Sequence, residues 1–170
     1  PWYDDDPQAR RLPVPMWAGP GDQWLGELGY RGYGAVFRLD AATGRTDGEA
    51  LVATPGYDFT GRLITEPGTG RLLGVSFETD APGTVWFDKA MKAHQAAIDA
   101  RLPGTVNLIE CLRCSAASHF IVTSLSDVRP PTYALYSAAD QQLQPLLGPR
   151  ADLPVAAMGQ RDYHRIKARD

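Results

Sequence analysis

Three stretches of this chain can be laid over one another, and that repeat limits its fold more than any other feature. "AVFRLDAATG", "TVWFDKAMK" and "YALYSAADQ" each run from a short apolar-aromatic segment onto Asp or Ser and then into Ala. Aligned on Asp40, Asp88 and Ser137, they stand 48 and 49 residues apart by subtraction of position. A second strand-like segment precedes each one, in "QWLGELGY", "RLLGVSFETD" and "HFIVTSLSD". Before these come the turns "GPGD", "PGTG" and "LRCSAAS", and before the turns a first strand in "VPMW", "RLITE" and "TVNLIEC". The repeating unit is strand, tight turn, strand, Gly/Pro-containing loop, strand.

A period near 50 residues with three or four strands per unit is the size of a propeller blade. The alternative is a meander sandwich whose strands happen to recur. "EALVA" supplies a fourth strand to the first unit and "LQPLL" one to the third. The middle unit departs from this pattern. After Asp88 it reads "KAMKAHQAAIDARLPG", which is helix composition with an Asp N-cap and a stop at Pro103 and Gly104. Met91, Ile98 and Leu102 fall in one stripe at 3.6 periodicity, so this helix can cover a sheet edge. The expected fold is therefore mainly β: a partial β-propeller of about three blade-like antiparallel sheets with one inserted α-helix. The units span about 12–53, 57–105 and 106–154, with third strands near 35–40, 84–88 and 133–137 and the helix over about 88–102. Closed rings take about four to eight blades, so three units make an open arc or a piece of a larger ring.

Composition agrees and excludes some partners. The chain has 170 residues, 44% of them hydrophobic and 22% charged, as in an ordinary globular domain. Its 17 Gly and 14 Pro are spread along the length, the distribution expected for many turns between short strands. A net charge of −3 gives no electrostatic reason to approach nucleic acid or an anionic membrane. No apolar run approaches the roughly 20 residues of a bilayer-spanning helix.

The stretches "LLGVSFETDAPGTVWFD", "AAIDARLPGTVN", "SLSDVRPPTYALYSA" and the closing "YHRIKARD" resemble the amino-terminal propeller of bacterial prolyl oligopeptidase family serine peptidases. The likeness runs from about Trp24 to Asp170. In that family the propeller precedes an α/β-hydrolase domain, and a strand similar to "HRIKARD" leads from one to the other. The resemblance implies that 1–154 is the propeller part and 155–170 a linker that begins the strand toward a hydrolase domain this sequence does not include. In the closing segment Tyr163, Arg165 and Lys167 would alternate with His164, Ile166 and Ala168. The implied role is to cap the hydrolase site and restrict access to short peptides. First strands would line the central channel, which makes Arg62, Thr65, Asn107 and Glu110 its candidate residues. The implied partners are the hydrolase domain and, in the full-length protein only, a peptide substrate. Open blade faces point to a homo-oligomer, and the compartment leans to periplasmic over cytoplasmic. A free-standing propeller-like interaction module is the competing reading.

No catalytic residue carries over from the family. Its nucleophile stands in G-x-S-x-G, on a strained turn that lifts the hydroxyl above the sheet. "GVSFE" around Ser76 lacks the second Gly and reads as mid-strand. His94, His119 and His164 are far apart in sequence, show no metal-binding spacing, and are expected in structural or solvated roles. No cofactor is implied. "CLRC" is the sharpest local motif. Zinc would need a second ligand pair, and a redox centre usually sits at a helix amino terminus rather than a β-turn. Two turn thiols or one structural disulfide between Cys111 and Cys114 remain, with the disulfide preferred. A third class of function is a small-molecule enzyme using this motif. "GYRGYG" lacks a phosphate-loop context and reads as a hairpin loop, and the acidic run Asp4–Asp6 as a solvated cluster. Packing between units accounts for Trp24, Phe37, Phe77, Trp86, Tyr133 and Tyr136.

Overall fold

A computed structural model of the chain describes residues 13–46, 48–146, 153–154, 158–164 and 166–167. The acidic run Asp4–Asp6 lies outside them, as do Arg165 and 168–170. The described fold is mainly β, with eleven strands in three antiparallel sheets and a single helix. Each sheet is a meander of consecutive strands. The first holds β1 (Val14–Gly19), β2 (Gln23–Tyr30), β3 (Tyr33–Leu39) and the short β4 (Val52–Ala53). The second holds β5 (Gly61–Thr65), β6 (Leu72–Glu78) and β7 (Pro82–Trp86), followed by α1 (Lys89–Arg101). The third holds β8 (Val106–Glu110), β9 (His119–Leu125), β10 (Thr132–Ser137) and β11 (Leu143–Leu146).

Local chemistry explains the turns. Between β2 and β3 the residues Arg31 (φ 52°) and Gly32 (φ 91°) are both left-handed, the turn whose twist suits a two-residue hairpin. "GYRGYG" is thus a hairpin loop. At α1 the Asp88 carboxylate accepts the N–H groups of Ala90 and Met91, each at 3.0 Å, capping donors that have no partner within the helix. The helix ends at Leu102, before Pro103 and a left-handed Gly104 (φ 73°).

The sheets stack in chain order, with the second in the middle. One apolar cluster joins Leu25, Val36 and Val52 of the first sheet to Val75 of the second. Another joins Leu73 and Trp86 of the second sheet to Ile109, Phe120, Val122 and Tyr136 of the third, with Met91 and Ile98 of α1 wedged between. Regular alternation would put Leu73 and Val75 on the same face of β6. A bulge prevents this: Ile64 pairs with Gly74 and Thr65 with Leu72, so Leu73 is the extra residue and turns to the opposite face. Gly74 beside it is required by packing, since a Cβ there would lie 2.9 Å from the Trp86 ring.

In the second unit α1 takes the place in chain order that a fourth strand has in the other two, and it packs between the second and third sheets against β7 and β8. Its buried stripe is Met91 and Ile98, with Leu102 half-buried. The outer face of the third sheet carries no further layer among the described residues. Leu108, Tyr133 and Leu135 are half-buried there, and Ile121 (36%) and Leu146 (40%) are exposed. The closing segment is not a strand where it is described. Residues 158–164 and 166–167 form no strand pairing with the described residues and are exposed, with Ile166 at 90%.

Candidate functional site

The first hairpin turns of the three sheets gather at one end of the stack. The turn after β5 meets the turn after β8 through two residues that flank it. The Glu66 carboxylate accepts the Ser115 N–H at 2.9 Å, and the Arg71 guanidinium donates to the Ser115 hydroxyl at 2.9 Å. Arg71 also forms a 2.7 Å ion pair with Asp88, so one side chain ties both turns to the helix cap. The pKa values follow from these bonds. The Ser115 N–H holds Glu66 below the usual carboxylate range, and the Arg71 guanidinium does the same for Asp88. Sequence reading missed this network. Its available signal was the equivalence of "PGTG" and "LRCSAAS" in successive units, which places both turns at the same end of adjacent sheets.

Two cavities open on this rim. The first, of about 460 Å³, lies beside the third sheet and is lined by Glu110, Cys111, Arg113, His119, Ile121 and Leu135 among others. The second, of about 370 Å³, lies between the first and second sheets and is walled by Trp17, Trp24, Arg38, Arg71, Phe87 and Asp88 among others. Trp24 is 39% exposed there, so packing between units does not account for it as it does for the buried Trp86 and Tyr136. The Trp17 ring occupies the space beside Gly19 that a Cβ would fill.

The candidate channel residues lie on two strands, Arg62 and Thr65 on β5 and Asn107 and Glu110 on β8. Arg62 is exposed on β5 and Thr65 is half-buried near the rim. Glu110 is exposed and accepts the Thr123 hydroxyl at 3.0 Å. Asn107 is 5% exposed and lies beneath α1. Its amide donates to Asp99 at 3.0 Å, and its carbonyl oxygen accepts Ser124 at 2.7 Å and Thr105 at 2.9 Å. Gln95 completes the seam by taking the Trp86 indole N–H and donating to the Asn107 backbone carbonyl. Asn107 lines no open channel here. The helix that follows β7 covers it, and a polar side chain under a helix must find its partners inside.

The other singled-out residues have structural surroundings. The Ser76 hydroxyl donates to the Arg62 carbonyl at 3.3 Å in the middle of β6. His94 packs against Phe120 and Tyr136 and shares a 3.2 Å hydrogen bond with the Tyr136 hydroxyl. Burial holds that phenol above its ordinary pKa. His119 contacts the Ser118 hydroxyl. Cys111 and Cys114 are joined as a disulfide, with Cα atoms 5.1 Å apart. Among the described residues there is no cluster of three or more metal-ligating side chains and no helix long and apolar enough to cross a membrane.

Comparison with protein-family profiles, with curated proteins and with solved structures gave no match to this chain.

Proposed function

We propose that this chain is a non-catalytic propeller segment of a prolyl oligopeptidase family serine peptidase, which caps a hydrolase site and limits entry to short peptides. One observation carries the reading: three meander sheets stack face to face in chain order, with an apolar cluster across each junction. Radial stacking of successive blades requires that arrangement, whereas a two-layer sandwich has only one such junction. The uncovered outer face of the third sheet fits a place where another blade packs. In this reading β5 and β8 lie at the channel, with Arg62, Thr65 and Glu110 as its polar lining. Asn107 drops out because it is buried.

The test is the coding frame on either side of this segment, followed by assay of the encoded protein on peptides of graded length. A G-x-S-x-G further along, with cleavage that falls off as substrates lengthen, supports the proposal. Charge reversal at Arg62 and Glu110 should then alter that length dependence. A frame without such a motif refutes it. The exposed apolar face of the third sheet also suits a second reading, a propeller-like module that binds protein partners, and a frame without a hydrolase would favour that one.

A further inference from the structure

We propose that the Cys111–Cys114 disulfide is a thiol–disulfide exchange centre that takes a small, carboxylate-bearing thiol through the cavity beside it. The two sulfurs differ in access. Cys111 is half-buried and forms part of the wall of the open cavity of about 460 Å³, a volume suited to a small ligand. Cys114 is 5% exposed and belongs to the core cluster between the second and third sheets. Reagents therefore reach one end of the bond. Arg113 is exposed on the same wall and forms no salt bridge among the described residues; its charge acts on Glu66 at a distance, and its guanidinium has donors to offer a ligand carboxylate.

The turn does not depend on the bond. A disulfide between residues three apart restrains little chain. The segment is held independently by Ser115 on Glu66, by Arg71 on Ser115, by Ala116 N–H on the Arg113 carbonyl and by Ala138 N–H on the Ser118 carbonyl. A disulfide with little structural duty, one end of which borders an open cavity, is open to reduction from that end. Opening this one leaves the fold in place.

The step balances as an exchange. The thiol of the ligand loses its proton to solvent, and its sulfur attacks Cys111 Sγ. The ligand–Cys111 bond forms as the Cys111–Cys114 bond breaks, and the electron pair leaves on Cys114 Sγ, which takes a proton. The released thiol has the Cys111 carbonyl oxygen as an acceptor at 3.6 Å. A second ligand thiol then attacks the ligand sulfur of the mixed disulfide and frees Cys111. Two ligand thiols are oxidised to one disulfide, and the protein disulfide is reduced to two thiols.

Reduced glutathione is the probe. Incubation with the intact protein, acid quenching and peptide mass spectrometry should find the mixed disulfide on Cys111, while circular dichroism stays folded. In Cys114→Ser and Cys111→Ser variants treated with oxidised glutathione, the first should form its adduct about tenfold or more faster. Adduct on Cys114 of the wild-type chain, equal rates in the two variants, or reduction only in urea would overturn the proposal. The wild-type measurement stands even if a variant fails to fold.

Discussion

Replacing Asn107 by Ala separates a channel residue from a buried joint. The side chain is 5% exposed and links α1 to β8 and β9 through Asp99, Thr105 and Ser124. Truncation strands the Ser124 hydroxyl, on a residue 4% exposed, while Thr105 keeps the Leu102 carbonyl at 2.8 Å as a partner. One buried unsatisfied group costs about 1–3 kcal/mol, and the lost hydrogen bond to the Asp99 carboxylate adds about 1.5 kcal/mol or more. The expected loss is about 3 kcal/mol, which lowers Tm by about 6–12 °C for a chain of this size. Urea unfolding followed by circular dichroism measures it. Asn107→Ala combined with Ser124→Ala should recover about 1 kcal/mol of the loss, because the stranded hydroxyl is gone. Asn107→Asp should be worse at neutral pH than in acid, since it faces the Asp99 carboxylate. A cost below about 0.5 kcal/mol for Asn107→Ala, the value typical of exposed positions, would refute the buried joint and return Asn107 to an open edge.

Other outcomes follow from the same geometry. Gly32→Ala places a Cβ at φ 91° in the β2–β3 hairpin and should cost about 1–2 kcal/mol by urea midpoint. Stability should fall as pH drops from about 5 toward 2. Glu66 and Asp88 have depressed folded pKa values, so their contribution is complete above their unfolded values and lost as pH falls through the folded ones. Arg71→Met should flatten the share of that acid limb due to Asp88, and an unchanged slope would show that the ion pair is not its source. The outer face of the third sheet should drive concentration-dependent association in sedimentation velocity, and Ile121→Lys should abolish it; a wild-type monomer at every concentration would count against this.

Much of the mainly β fold was legible because each strand carries its own local signal. "QWLGELGY" is β2 from end to end, and "YALYS" falls inside β10, because apolar alternation and flanking turn residues act within a few positions. Asp88 could be read as the helix cap for the same reason: its partners are two and three residues away. The candidate site was less legible. Asn107 looks like any polar residue on a first strand until α1 is laid over it. Ser115 meets Glu66 across 49 residues, and no local pattern encodes that distance. In the closing segment the alternation is legible, but residues 158–164 and 166–167 form no strand with the described residues.

By itself the sequence determined the order of strands, the turn positions, the capped helix and the absence of a G-x-S-x-G nucleophile, all set by interactions spanning a few residues. Only the tertiary structure decided which faces stack, that Leu73 turns away from Val75, that Asn107 is buried, and that Cys111 rather than Cys114 opens onto a cavity. Those outcomes depend on which surfaces the sheets exclude from water when they pack, and burial is a property of the assembled layers rather than of any one segment.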